Sequence, residues 1–284
     1  MRSNTVWSIG AILLESPVIV GDMVFCVDIL GNKLFRWNIG EKVGYVYPLP
    51  EQISSIAPIT SEWRASIEIN HKVDLDEFSY TLLCSGECGF STILIDDRSI
   101  CFLRFLNPEK KSERTRFNDG KLGPDGWFYS GTMDLQEREP LGSFYRCSPH
   151  GEVHPIEGKF LVFNGPCFHP NGNLMLASDS ALGCVYRYLR HQGSAWLPDG
   201  IFKTFDKNYG SPDGMCFCKD GAIWLALWGS GFVIKLDEHG NEIAQIDTGC
   251  KFVTSCCVSN DESELFITAQ SDLNGSGKLL SVSL

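Results

Sequence analysis

The stretch Gly210-Ser211-Pro212-Asp213-Gly214-Met215-Cys216, followed by the apolar segment Ala222 to Trp228, carries the pattern that decides the fold. Pro212 has a fixed φ and no amide proton, and Gly214 tolerates a positive φ. The sequence therefore predicts a tight turn that presents Asp213 at the entrance of a buried strand. An isolated Pro-Asp-Gly triplet is usually an ordinary β-turn, so any function for Asp213 depends on similar punctuation elsewhere in the chain.

Such punctuation recurs, because short apolar segments that each follow a turn are spread along the chain. The predicted strands of this kind are Met23 to Ile29, Phe128 to Thr132, Leu174 to Ser178, Ile223 to Trp228 and Leu265 to Ala269. The turns before them repeat at roughly 40–50 residues, the period of a β-propeller blade of about four strands. The long interval between Asp22 and Asp125 accommodates two periods with one indistinct turn.

Six such periods predict an all-β fold, a six-bladed β-propeller in which residues 1–284 form a single domain. We expect the ring to close by pairing of the N-terminal strand with C-terminal strands around Lys278 to Val282. No stretch shows helical periodicity of any length, which disfavours an α/β fold. The stretch from Ser61 to Ile95 shows no clear blade signature.

Composition excludes several classes of function. Hydrophobic residues make up 43% of the 284 residues, enough for a core, while the net charge of -11 argues against a nucleic-acid partner. The apolar run Ala11 to Val20 is interrupted by Glu15 and Pro17, and neither a signal peptide nor a membrane span is predicted.

The twelve cysteines are expected to be free and mostly buried thiols in a cytoplasmic protein. Cys84 and Cys88 are four residues apart, but no second pair at zinc-finger spacing accompanies them. A structural zinc site is therefore not predicted.

Polar residues stand beside Gly or Pro at the entrances of four predicted blades. The four segments are Leu14-Glu15-Ser16-Pro17, Arg116-Phe117-Asn118-Asp119-Gly120, Phe163-Asn164-Gly165-Pro166 and Ser211-Pro212-Asp213-Gly214. If each segment is considered alone, the simplest interpretation has no function in it. Glu15 would be a surface charge, Asn164 a left-handed turn residue, and Asn118-Asp119-Gly120 a hairpin turn. In a propeller, however, loops at one end converge on the axis, so these side chains can share one ligand.

These motifs, in this order, resemble the SMP-30/gluconolactonase (regucalcin-like) family. The resemblance covers nearly the whole chain and is closest to the sugar-acid lactonase branch, such as xylonolactonases. It extends to segments beyond the four entrances: Val27-Asp28-Ile29, Gly131-Thr132-Met133, Ser178-Asp179-Ser180, Trp224 to Gly231, and Thr254-Ser255-Cys256-Cys257. A position that is acidic in some relatives is Gln136 here.

The resemblance implies one divalent metal ion, held by Glu15, Asn164 and Asp213, with Arg116, Asn118 and Asp119 facing the substrate. As an alternative, Asp119 would not touch the substrate but would hold the metal-binding residues in position. An oxygen-only donor set suits Ca²⁺ best, with Mg²⁺, Mn²⁺, Fe²⁺ or Zn²⁺ as alternatives.

The implied reaction is hydrolysis of a sugar (aldono-) lactone to the aldonic acid. The metal would polarise the lactone carbonyl, and either Asp213 or a metal-bound hydroxide would activate water. Two alternatives stay open: a broader lactonase or phosphotriesterase on the same site, and a non-catalytic calcium-binding propeller. The expected partner is a small sugar lactone, and the sequence does not indicate an oligomeric state.

Overall fold

Short strands joined by tight turns make up most of the protein. A computed structural model describes residues 1–87, 89–109, 112–190, 195–272 and 274–284. Within these residues the strands form six antiparallel sheets of four strands each. Strands follow one another in chain order within five sheets, whereas the sixth has the order β1-β24-β23-β22.

The strands are best listed by their place in a sheet. The first strands are β2 (Leu14–Val20), β6 (Ile53–Pro58), β10 (Thr115–Leu122), β14 (Phe163–Phe168), β18 (Ser211–Phe217) and β22 (Phe252–Val258). The second are β3 (Met23–Asp28), β7 (Tyr80–Gly86), β11 (Phe128–Asp134), β15 (Leu174–Asp179), β19 (Ile223–Trp228) and β23 (Glu264–Gln270).

The third strands are β4 (Lys33–Asn38), β8 (Gly89–Ile95), β12 (Gly142–Cys147), β16 (Cys184–Leu189), β20 (Phe232–Leu236) and β24 (Gly277–Ser283). The outermost are β5 (Val43–Pro48), β9 (Ile100–Leu106), β13 (Val153–Phe160), β17 (Leu197–Thr204), β21 (Glu242–Asp247) and β1 (Asn4–Ser8).

The first strands lie innermost and contact one another in the cyclic order β2, β6, β10, β14, β18, β22 and back to β2. This ring gives the sheets the radial arrangement of a β-propeller. Apolar residues of neighbouring sheets pack together between the blades, as where Phe25 and Ile56 join one buried cluster. The core is thus divided into wedges around the ring, and the ring leaves an axis on which polar side chains can meet.

The predicted closure of the ring is confirmed. Strand β1 pairs antiparallel with β24, with Asn4 opposite Ser281 and Ser8 opposite Lys278. Residues near the two ends of the chain therefore share one sheet with β22 and β23.

The predicted six-bladed β-propeller is corrected in its regularity, because one of the six described sheets is not a copy of the repeated turn-and-strand unit. The sheet that begins with β6 is interrupted after its first strand by helix α1 (Ser61–His71) and a 3-10 turn (Leu75–Glu77). Each described sheet has four strands, but only five of the sheets follow the predicted turn-and-strand repeat. The expectation that no helix is present was wrong.

Helix α1 is stabilised by a capping residue at its start and by a buried tryptophan. The Thr60 hydroxyl accepts a hydrogen bond from the Trp63 amide at 3.3 Å and caps the first turn. Trp63 is only 1% exposed, and its indole Nε1 donates to the Gly126 carbonyl at 2.7 Å. The helix is therefore anchored on the β10–β11 connection. Its insertion explains why the sequence shows no Gly-containing turn at this place.

The described cysteines are free and most of them are buried, as predicted. Cys88 lies outside the described residues. Among the described residues, the helices are too short or too polar to span a lipid bilayer. The cytoplasmic location stays a prediction.

Candidate functional site

A break in strand register occurs on every described inner strand, where it pairs with the second strand of its sheet. The breaks lie at Glu15/Val18, Ile53/Ser55, Phe117/Asp119, Asn164/Cys167, Pro212/Met215 and Val253/Ser255. Such bulges leave a residue unpaired and redirect side chains. The polar residues predicted at tight turns therefore lie within or beside bulges of continuous strands, which corrects the turn assigned to Pro212-Asp213-Gly214.

The bulges bring five predicted site residues together. Glu15, Arg116, Asn118, Asn164 and Asp213 line one cavity of about 280 Å³. Because these residues belong to β2, β10, β14 and β18, the cavity lies at the ends of the inner strands where those strands begin. The convergence on the axis that the repeat predicted is therefore present for all of them.

Two amide side chains form the fixed part of this cavity. Asn118 Nδ2 donates to the Phe163 carbonyl at 2.7 Å and to Asn164 Oδ1 at 3.0 Å. Asn164 Nδ2 donates in turn to Ser180 Oγ at 2.7 Å. Since both amide nitrogens are used as donors, the orientation of Asn164 Oδ1 is set, and a carbonyl oxygen has a second lone pair for another ligand.

Arg116 holds the other end of this network. Its Nη1 donates to Asn118 Oδ1 at 2.7 Å and to the Phe117 carbonyl at 2.9 Å. Burial lowers the pKa of the guanidinium to about 10, although the Glu15 and Glu137 carboxylates oppose that change. The group stays charged at neutral pH, so a cation lies beside the amides and can bind hydroxyl or carbonyl oxygens.

Glu15 and Asp213 are buried carboxylates, each 6% exposed. Burial raises the pKa of Asp213 well above its usual range, and the negative charges of Glu15 and Asp119 raise it further. Burial and Asp119 likewise raise the pKa of Glu15, while a hydrogen bond from the Ser16 amide at 2.8 Å partly offsets this. Two buried carboxylates that repel each other are the electrostatic condition that a bound cation relieves.

The donor atoms fit a hard divalent cation. Asp213 Oδ1 is buried and has no hydrogen-bond partner, which is costly for a carboxylate oxygen without a further ligand. With Glu15 and the oriented oxygen of Asn164, it offers two carboxylates and an amide, the oxygen donors preferred by Ca²⁺ and Mg²⁺. Within the described residues no group of three or more His, Cys, Asp or Glu side chains is placed to hold a metal, so any site here depends on the amide.

Asp119 occupies a different place from the one predicted, since it does not belong to the lining of the cavity. Its Oδ1 accepts from the Gly120 amide at 2.6 Å, and its Oδ2 accepts from the Gly165 amide at 2.9 Å. Burial raises the pKa of Asp119 to about 7, while Lys121 and these two amides oppose the rise. Asp119 thus ties β10 to the bulge of β14 beside Asn164, which fits the supporting role held open from the sequence.

The sequence did not identify Glu137 as a site residue. Glu137 lines the cavity and has a left-handed φ of 53° in the connection after β11. Its neighbour Gln136 is not among the residues that line the cavity, whereas Ser180, Ser211 and Trp228 are.

Buried aspartates organise the connections at this end of the ring. Asp179 accepts hydrogen bonds from the amides of Leu161, Val162 and Leu182 at 2.7, 3.3 and 3.2 Å. Asp28 holds its own connection in a similar way by accepting from the amide of Leu13 at 3.0 Å. The rim of the cavity is therefore fixed by amide-to-carboxylate hydrogen bonds.

The fold and this site define a β-propeller whose axial cavity combines buried carboxylates, oriented amides and one arginine. The model of the SMP-30/Gluconolactonase/LRE-like region matches residues 13–271, so the chain belongs to that family. The resemblance seen in the sequence is thereby confirmed.

Relatives in this family carry two kinds of name. Regucalcin of Oryctolagus cuniculus is 30% identical over 274 residues, which cover 91% of this chain and 83% of the relative. A Bacillus subtilis protein named "Putative sugar lactone lactonase YvrE" is 27% identical over 253 residues, which cover 88% of this chain and 80% of the relative.

Solved structures share the fold. A calcium-binding regucalcin from Agrobacterium tumefaciens superposes with a TM-score of 0.83 at 22% identity, covering 99% of this chain and 93% of that one. A gluconolactonase from Xanthomonas campestris gives a TM-score of 0.77 at 18% identity, covering 100% of this chain and 89% of that one. At these identities the likeness shows the architecture alone.

Proposed function

We propose that the protein is a divalent-metal-dependent hydrolase that opens sugar lactones to aldonic acids. The observation that carries this proposal is the unpartnered, buried Oδ1 of Asp213 in a cavity shared with Glu15 and Asn164. Membership of a family that contains proteins named as lactonases supports the reaction class.

Glu15, Asn164 and Asp213 would hold the cation. When bound, it would act as a Lewis acid on the lactone carbonyl. The cavity of about 280 Å³ is of a size for a small polar ligand such as a monosaccharide lactone. Both carboxylates would be ionised in the loaded protein, because a nearby positive charge favours the charged form.

The chain's own groups have separate roles in this scheme. Asp213 would accept the proton of the attacking water through the carboxylate oxygen that does not hold the cation. Arg116 and Asn118 would orient the sugar through its oxygens, held in place by their mutual hydrogen bond. Glu137 would accept hydrogen bonds from sugar hydroxyls on the rim, and Trp228 would pack against the ring.

The test is proton release from a panel of xylono-, arabinono-, galactono- and gluconolactones. Metal-stripped protein is assayed alone and with added Ca²⁺, Mg²⁺, Mn²⁺ or Zn²⁺, beside Asp213→Asn and the matched control Asp22→Asn. Asp22 is exposed, so its variant removes the same charge without touching the cavity. We expect metal-restored hydrolysis that Asp22→Asn keeps and Asp213→Asn loses.

Two results would contradict the proposal. Hydrolysis that is unchanged by metal removal would exclude metal dependence. Calcium binding without opening of any lactone above the buffer rate would instead favour the non-catalytic calcium-binding propeller, and activity on phosphotriesters alone would favour the broader hydrolase.

A further inference from the structure

A second group of reactive side chains lies at the other end of the same inner strands. Lys121 is near the end of β10, Cys167 near the end of β14, Cys216 near the end of β18, and Cys256 near the end of β22. We call these four residues the thiol cluster. None of them lines the cavity that contains Asp213.

Two thiols of the cluster are in contact across neighbouring sheets. Cys216 Sγ and Cys256 Sγ are 3.8 Å apart and hydrogen-bonded, although 40 residues separate them in the chain. Cys256 Sγ is also 3.5 Å from the Trp224 carbonyl oxygen, which is an alternative acceptor for its single proton. The two sulfurs lie within van der Waals contact of one another, and a disulfide would require them to approach to about 2.05 Å.

The surroundings favour a thiolate at Cys216. The hydrogen bond from Cys256 and the positive charge of Lys121 lower the pKa of the Cys216 thiol, although burial opposes them. Lys121 is held in place because its Nζ donates to the Met215 carbonyl at 2.8 Å. Burial raises the pKa of the thiol of Cys167, on the neighbouring strand, so the two cysteines differ in reactivity.

Small oxidants can reach this thiol. A cavity of about 300 Å³ opens between the ends of β10, β14 and β18 and is lined by Lys121, Cys167 and Cys216. Cys216 is 7% exposed, whereas Cys256 is 1% exposed. The geometry therefore distinguishes an attacking sulfur on the cavity from a resolving sulfur behind it.

We propose that Cys216 and Cys256 are an oxidisable pair that forms a disulfide between the β18 and β22 sheets when the protein meets a peroxide. The Cys216 thiolate attacks one peroxide oxygen, the O–O bond breaks, and the departing hydroxide takes a proton to leave as water. The Cys256 sulfur then attacks the resulting sulfenic acid, the S–S bond forms, and a second water leaves. Overall, two thiols and hydrogen peroxide give one disulfide and two waters, and a dithiol reductant reverses the change.

The experiment uses the full chain, treated with hydrogen peroxide, alkylated and digested with trypsin. Cleavage at lysines places Cys216 in the peptide 208–219 and Cys256 in the peptide 252–278. We expect these peptides to be joined after oxidation, with a mass two hydrogens below their sum, and to separate after dithiothreitol. Fragmentation of the joined peptides identifies the bonded sulfurs in the unmodified chain, so the test does not depend on a variant that folds.

Matched variants sharpen the assignment, because each peptide holds a second cysteine. Cys218→Ser and Cys257→Ser should keep the cross-link, and Cys256→Ser should lose it and accumulate the Cys216 sulfenic acid, detectable with dimedone. Oxidation of Cys216 to sulfinic acid in the unmodified chain without any cross-link would overturn the proposal. So would fragmentation that places the bond on Cys218 or Cys257.

Discussion

Replacing Asp213 by Asn should stabilise the metal-free protein. The Asp213 carboxylate is buried, is repelled by Glu15 and Asp119, and has one oxygen without a partner. The amide has nearly the same shape and carries no charge, so folding no longer requires that a charged group, or a proton bound at neutral pH, be buried there. The same change removes a metal ligand, so the variant should gain stability and lose its response to cations.

The magnitude is on the order of the penalty for one buried unsatisfied group, about 1–3 kcal/mol, because a charged carboxylate costs more to bury unpaired than the neutral amide that replaces it. At about 2–4 °C per kcal/mol for a domain of this general size, Tm should rise by about 2–12 °C at pH 7. The pKa of Asp213 is raised in the folded state, so the folded protein holds a proton that the unfolded chain releases near pH 4. The parent protein therefore loses stability relative to Asp213→Asn as the pH rises above about 4, and the two converge at lower pH.

The assay is thermal unfolding of chelator-treated protein from pH 4 to pH 8, for the parent, Asp213→Asn and the exposed-charge control Asp22→Asn. Saturating Ca²⁺ should then raise the Tm of the parent and of the control, because a ligand that binds only the folded state adds stability by mass action. A metal-free Asp213→Asn variant that melts at or below the parent at pH 7 would refute the electrostatic reasoning. An equal response of both proteins to Ca²⁺ would refute the ligand assignment.

Three further substitutions test the surrounding framework. Asp179→Ala should lower the free energy of unfolding by roughly 2–4 kcal/mol, because three backbone amides, one of them buried, lose their acceptor, and urea unfolding measures this. Trp63→Phe should cost about 1–3 kcal/mol through loss of its bond to Gly126 and the space left, with unchanged lactone hydrolysis because helix α1 lies away from the cavity. Gly214→Ala should destabilise by about 1–3 kcal/mol and reduce hydrolysis, because its Cβ would lie 2.1 Å from Ser255 Oγ and 2.9 Å from Ser255 Cα; an unaffected melting temperature and rate would show that the strand yields without cost.

Strand positions were predictable from the sequence where a turn precedes an apolar run. The predicted strand Ile223 to Trp228 has the bounds of β19, and Leu174 to Ser178 differs from β15 by one residue. The second sheet was not predictable in this way, because helix α1 replaces the turn on which the repeat depends. Its helix gives a weak periodic signal, with Trp63, Ser66 and Ile67 as its buried residues.

Five residues that line the cavity were predictable from the sequence, but the backbone conformation at those residues was not. Segments such as Asn164-Gly165-Pro166 read as turns, since Gly and Pro mark turns and bulges alike. Whether such a segment becomes a turn or a bulge depends on its pairing with a neighbouring strand, and the local sequence does not reveal that pairing. Asp119 and Glu137 show the same limit, because the direction of each side chain depends on the register and on a positive φ that only the folded backbone supplies.

The pairing of β1 with β24 has a consequence for biosynthesis. Glu15 is synthesised long before β24, yet the ring that places it beside Asp213 is closed only when β24 has emerged and met β1. Contacts between such distant parts of a chain form slowly, because a long loop must close before they contribute. The ring of a nascent chain should therefore stay open, and the cavity incomplete, until β24 has been synthesised.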